Sequence, residues 1–416
     1  MRLIGVPLVA LAVAMAGCAP TTDGQAATPA FRSASTPVES PTSPAEETPI
    51  PGPVVTPTAG SGWRYAYISE QPDSELLDVA AAGPRQAWAV GSAGGKILLL
   101  RHDGSGWRQV EPPAGVGEVP SGMKVHVAAS APDNVWLLVP RVGGDGQIDR
   151  MTAFRWDGSH WQPIAAELDT GNVADFEVLG RDDAWTVHGV EQPYARHWDG
   201  RAWRTVRLPA DAESLSGTGP GDLWAVGARH SGPAISDDEL SQPAAMHWDG
   251  RAWRLVPTPA YAFAEPKPPE GSAGLDGVVA LSGDDVWATG THTFNHGEVD
   301  NEPDDPPAIL LHWDGARWTK HAAPSSRYCC PELAGDGSGG ILLATGSPGF
   351  RDTWRLDAAG RRIRPARLLA VPGLRRSQFF DLEALAGAPR GGTVWAVGQL
   401  SADGGFWRRA VIARLG

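Results

Sequence analysis

The chain has 416 residues and a formal net charge of −13, with only 4 lysines among its 35 basic residues. That acidic balance argues against a nucleic-acid partner and against adhesion to anionic lipid headgroups. Three cysteines exclude a framework of several disulfides, so the fold must stand on a hydrophobic core, for which 18 tryptophans are ample material.

Residues 1–17 read as an export signal: Arg2 precedes an apolar run from Leu3 to Ala14 that is too short for a permanent span. Met15-Ala16-Gly17-Cys18 follows and looks like a bacterial lipobox, which implies diacylglyceryl transfer to the Cys18 thiol. An ordinary signal peptide ending near a cysteine is the alternative. No later segment reaches 18 unbroken apolar residues. Lipid is therefore the expected anchor, on the extracytoplasmic face of the cell membrane. Residues 18–60 form the next unit. Positions 19–60 contain 9 Pro, 8 Thr and 4 Ser, half of the segment, and such a composition cannot bury enough apolar surface to order itself. A solvated tether is expected there.

Internal repeats dominate residues 61–416. One mark is a Trp-centred strand: Ala87-Trp88-Ala89-Val90-Gly91, and again around Trp136, Trp185, Trp224, Trp287 and Trp395, with Leu342-Leu343-Ala344-Thr345-Gly346 in the same slot without Trp. The seven copies are about 51 residues apart, within the range of propeller blades. A second mark is the hairpin Trp-Asp-Gly…Trp, at Trp156…Trp161, Trp198…Trp203, Trp248…Trp253 and Trp313…Trp318, with His102-Asp103-Gly104…Trp107 as a variant. Asp-Gly supplies the turn, and the flanking Trp side chains can meet across the two strands. Each unit reads as four strands: an apolar strand a, the Trp strand b, strand c ending at Trp-Asp-Gly, and strand d with the closing Trp. Sixteen of the 18 tryptophans fall in repeat slots, which makes them packing residues rather than a ligand cage.

The last unit ends at Arg414-Leu415-Gly416, in the strand c position, and lacks a strand d. Gly60-Ser61-Gly62-Trp63 repeats Gly104-Ser105-Gly106-Trp107, so residues 61–68 are expected to supply the missing strand and close the ring. The fold class is thus all-β, a seven-bladed β-propeller of four-stranded blades. The chain resembles bacterial secreted propellers built on a VWAVG…HWDGxxW repeat, a loose group similar to kelch, WD-repeat and galactose-oxidase-like propellers. That likeness implies a fold, and fold does not fix function.

In such a ring the b–c and d–a connections share one face. From the strand b glycine to the hairpin Asp, the b–c distance is 12 residues in blade one (Gly91 to Asp103), but 22 in blade four (Gly227 to Asp249) and 24 in blade five (Gly290 to Asp314). The d–a connection Pro257–Gly274 is long as well. Insertions on one face commonly mark a binding face, with neutral insertion as the alternative. The two b–c loops carry Asp237, Asp238, Glu239, Glu298 and Asp300, with His292 and His296 beside the second cluster. A Ca²⁺ ion on those carboxylates is one reading, and a solvated acidic loop the other, since no EF-hand spacing is present; no cofactor is expected. Tyr328-Cys329-Cys330-Pro331 enters blade six on the same face. Export favours a vicinal disulfide between Cys329 and Cys330, with two thiols or an interchain bond as alternatives. His197, His247 and His312 precede a repeat Trp-Asp and read as structural.

No His-Glu-x-x-His or Gly-x-Ser-x-Gly pattern is present. The expected protein is a monomeric, lipid-anchored binding or scaffold propeller with a protein, peptide or cell-wall glycan partner on the face of blades four to six. An enzyme acting on glycans or alcohols is the alternative.

Overall fold

The computed structural model describes residues 62–416 apart from 120–122, 144–147, 165–167, 169–172, 190–191, 231–240, 264–267, 269, 296–304, 324–331, 345–352, 358–360, 364–367, 369, 372–373, 375–377 and 406. Seven four-stranded antiparallel sheets follow one another, each meandering from strand a at the inside to strand d at the outside. Blade one is Ser74–Gly83, Gln86–Ala93, Lys96–His102 and Trp107–Val110; blade two is His126–Ala131, Asn134–Val142, Ile148–Trp156 and Trp161–Pro163. Blade three is Asp175–Gly180, Asp183–Val187, Tyr194–Trp198 and Trp203–Arg207; blade four is Ser214–Gly219, Asp222–His230, Ser241–Trp248 and Trp253–Val256. Blade five is Ser272–Ser282, Asp285–Thr293, Ile309–Trp313 and Trp318–Lys320; blade six is Glu332–Gly335, Ile341–Ala344, Thr353–Leu356 and Arg362–Ile363. Blade seven takes Gln378–Gly387, Val394–Ala402 and Trp407–Leu415 from the end of the chain and Arg64–Ile68 from its beginning, as the repeat pattern predicts. Strand a of each blade packs on strand a of the next, and blade seven packs on blade one, so the ring is closed.

The tryptophans do more than bridge hairpins. The two hairpin rings do meet, at 5.7 Å for Trp156 and Trp161 and 5.8 Å for Trp198 and Trp203. Both also pack onto the strand b Trp of the preceding blade. Trp156 and Trp161 each lie 5.2 Å from Trp88, and Trp248 and Trp253 lie 5.0 and 5.6 Å from Trp185. Across the seam from blade seven to blade one, His102 and Trp107 take the same places around Trp395, at 4.9 and 5.1 Å. Edge-on aromatic triads of this kind contribute roughly 0.5–1.5 kcal/mol per pair beyond area burial. They act between blades, which is where a closed ring of separate sheets needs adhesion.

The strand b glycine has a steric cause. Strand a bulges opposite it, after Leu76, Leu275 and Leu382. The bulge drives a strand a carbonyl toward the glycine: a Cβ at Gly91 would sit 2.0 Å from Glu75 O, at Gly290 1.9 Å from Gly274 O, and at Gly398 1.9 Å from Asp381 O. Only glycine tolerates that approach. In blades five and seven the inserted residue is Asp276 and Glu383, so the repeat glycine and the channel-facing charge are two sides of one bulge.

Candidate functional site

Strand a is not the purely apolar strand its repeat position suggests. Its inner edge has no neighbouring strand, and its N–H groups are met by polar side chains from the blade before. Asp78 of blade one accepts from Val79 N and, across the seam, from Val127 N at 2.9 Å. Asp175 of blade three accepts from Leu215 N at 2.7 Å and Ser214 Oγ at 2.9 Å in blade four. Ser214 and Ser216 accept in turn from Val278 N and Ala280 N of blade five, and His126 Nε2 of blade two lies 3.1 Å from Val173 O. Side chains therefore stitch the inner edges of successive blades.

These groups line a central cavity of about 920 Å³, with Glu177, Glu332 and Glu383 on its wall. Lys124 and Arg390 are the cations among its described lining residues. Burial is the main influence on the acids. It pushes the Asp78 and Glu177 carboxyls up to about 8 and Glu332 to about 7, with the neighbouring Asp175 charge adding to each. Asp175 and Glu383 are raised for the same first reason. Asp78 keeps 24% of its side-chain surface open to the channel, so channel water tempers the effect. His126 is driven the other way by burial, to about 4, and stands neutral with one nitrogen against the Val173 carbonyl.

The insertion face of blades four and five carries a second cluster. Strands b and c of blade four extend to the pairs Arg229↔Gln242 and His230↔Ser241 before the loop begins. Gln242 binds Tyr261 twice, Nε2 donating to Tyr261 O at 2.7 Å and Oε1 accepting from Tyr261 N at 2.9 Å. The Tyr261 ring holds Lys320 Nζ 3.8 Å from its centroid, while Lys320 also donates to Ala260 O at 2.7 Å. Phe263 lies 4.2 Å from His292 and 5.9 Å from Phe294. Tyr261 and Phe263 remain half-exposed over a buried His292. Burial pushes the Tyr261 phenol up to about 12; for His292, burial and then Lys320 lower the imidazole, keeping it neutral.

Of the sequence-predicted site residues, His292 is brought into this cluster. Cys18, Asp237, Asp238, Glu239, His296, Glu298, Asp300, Tyr328, Cys329 and Cys330 lie outside the described residues. Among the described residues no three His, Cys, Asp or Glu side chains converge closely enough to hold a metal ion. His197 and His312 each stack on a strand b Trp, at 3.9 Å on Trp185 and 4.2 Å on Trp287. Asp183 and Asp285 each accept from that Trp Nε1 and lie 2.9 Å from the histidine Nε2. Asp222 likewise meets His247 at 2.7 Å, so all three histidines are structural. Sequence reasoning missed the channel acids. Their signal was a carboxylate recurring in otherwise apolar strands, as in Leu77-Asp78-Val79, Phe176-Glu177 and Leu382-Glu383.

No protein-family model matches the chain, and no curated protein sequence matches it. Among solved structures it is similar to YCF48 from Cyanidioschyzon merolae at 15% identity and a TM-score of 0.50, over 85% of this chain and 99% of that one. It is also similar to the WD40 β-propeller domain of Doa1, at 11% identity and a TM-score of 0.49 over 85% and 97% of the two chains. A fucose-specific lectin from Aleuria aurantia matches at 14% identity and a TM-score of 0.43, over 70% and 95%. Likeness at these identities is likeness of fold. The class of the protein is the seven-bladed β-propeller.

Proposed function

We propose that this chain is a lipid-anchored, extracytoplasmic binding propeller that holds a protein, peptide or cell-wall glycan on the face of the long connections of blades four to six. The observation that carries the reading is the aromatic plate of Tyr261 and Phe263. Gln242 fixes its backbone through both amide atoms and Lys320 braces its ring, so little conformational entropy remains to be lost on binding. Half-exposed rings with a polar edge suit the apolar face of a sugar or a peptide side chain. The Cys18 lipobox supplies the anchor and the 19–60 segment the reach.

The test is binding to arrays of cell-wall glycan fragments and of peptides by the wild type and by the double variant Tyr261→Ala/Phe263→Ala. The variant should lose at least about tenfold in affinity for the hits while remaining folded in the same melts. Equal binding by the two proteins would refute the plate as the site. Turnover of any arrayed glycan by the wild type would favour the enzyme reading. For that reading, Glu177, a carboxyl that keeps its proton up to about 8, is the candidate general acid.

A further inference from the structure

We propose that the channel wall is a proton-dependent clasp: Asp78, Asp175, Glu177, Glu332 and Glu383 line one cavity between the blades, and the ring loosens as their protons leave. Geometry is the basis. These five carboxyls, from blades one, three, six and seven, share one cavity with Glu213 and Asp276, and its described cations are Lys124 and Arg390. Three of the five are also joints of the ring. Asp78 ties blade one to blade two through Val127 N, and blade three is tied to blade four by Asp175 through Leu215 N and by Glu177 through Gly217 N. Those N–H bonds form in either protonation state. Like-charge repulsion across the cavity is what changes.

Burial and the neighbouring acids raise these carboxyls, while Lys124 and the backbone N–H groups that bind them pull the other way. Asp78 faces His126 at 3.8 Å, which is neutral, and the Asp175 and Glu332 charges. Glu332 faces Asp175, Glu383 and Asp276, with Lys124 in partial opposition. Glu383 faces Glu75 and Asp381, again opposed by Lys124. Glu177 faces Asp175 and the Gly217 N–H. Each acid therefore holds its proton more tightly in the folded ring than in the unfolded chain. Such groups stabilise the fold relative to its ionised form at low pH, and that contribution is lost from about pH 4 upward until the folded values near 7 to 8 are passed. His126 acts oppositely: it is depressed to about 4, so the stability it contributes is present above about 6.5 and lost as pH falls through the folded value. His292 and His321, lowered by burial, act like His126, and once the unfolded histidines have lost their protons above about pH 7 the carboxyls dominate the slope.

Two measurements on the full chain test this. Thermal unfolding at low salt should show the melting temperature falling by roughly 3–6 °C between about pH 6.5 and 8.5. In Glu177→Gln/Glu332→Gln, isosteric and uncharged, that fall should be at least halved, and the variant should melt above the wild type at the alkaline end. Infrared spectra of the folded wild type at neutral pH should contain a protonated-carboxyl C=O stretch that disappears on alkalinisation, a readout that needs no variant to fold. A flat wild-type profile, a double variant as steep as the wild type, or a neutral spectrum without the carboxylic acid band would each overturn the clasp. Ligand binding at Tyr261 and Phe263 is a separate readout, so failure here leaves the binding reading intact and the reverse holds too.

Discussion

The closing strand is the point at which the ring depends on residues more than 340 positions apart, and Trp63 is its anchor. Trp63 is 4% exposed, and its Nε1 donates to Thr353 Oγ1 in blade six at 3.2 Å. It packs with Leu342 and Ala344 of blade six and Val411 and Ala413 of blade seven, filling the seam that Trp107, Trp161, Trp203, Trp253 and Trp318 fill elsewhere. Truncating a buried Trp to Ala costs about 3–5 kcal/mol. At about 2.1 cal/mol/K per residue, a domain spanning 62–416 has an unfolding entropy of about 0.7 kcal/mol/K, so Trp63→Ala should lower the melting temperature by roughly 4–7 °C. Trp63→Phe keeps an aromatic ring at the seam but loses the N–H and part of the indole's packing, and should recover part of that. Differential scanning calorimetry of the two variants, beside a deletion of residues 19–60, decides the matter. The deletion should leave the melting temperature unchanged, as expected from a Pro/Thr/Ser-rich composition that cannot bury much apolar surface. A Trp63→Ala protein melting within about 1 °C of the wild type would refute the closing-strand energetics.

The strand b glycine makes a second test: Gly227→Ala places a Cβ 2.2 Å from Asp211 O and should prevent folding or lower the melting temperature steeply, whereas Gly219→Ala, with no neighbour within 4 Å, should be silent in the same melts. Cys18→Ala should move the protein from the membrane fraction to the medium without altering its melting temperature; complete retention in the membrane on fractionation would sink the lipid-anchor reading.

Blade number and order were legible in the sequence because the strand b slot recurs seven times, and the Arg64–Ile68 closure because the last unit lacks a strand d and Gly60-Ser61-Gly62-Trp63 repeats Gly104-Ser105-Gly106-Trp107. Trp in strand b, Asp-Gly at the c–d turn and glycine opposite the bulge are requirements of one blade, and a repeat shows them without any knowledge of the others. Gly158, Gly200, Gly250 and Gly315 occupy positive φ at that turn, and Asp199, Asp249 and Asp314 accept the N–H groups that follow. The structural part of the histidines was readable for the same reason. What only the tertiary structure decided is everything that happens between blades. Trp156 meets Trp88 across 68 positions, and Asp78 meets Val127 N across 49, so no periodicity within a blade reveals the partner. The raised carboxyls belong to that second kind. A lone acid in strand a reads as a solvated face until seven inner edges converge, and convergence alone supplies the burial and like-charge company that make it hold a proton.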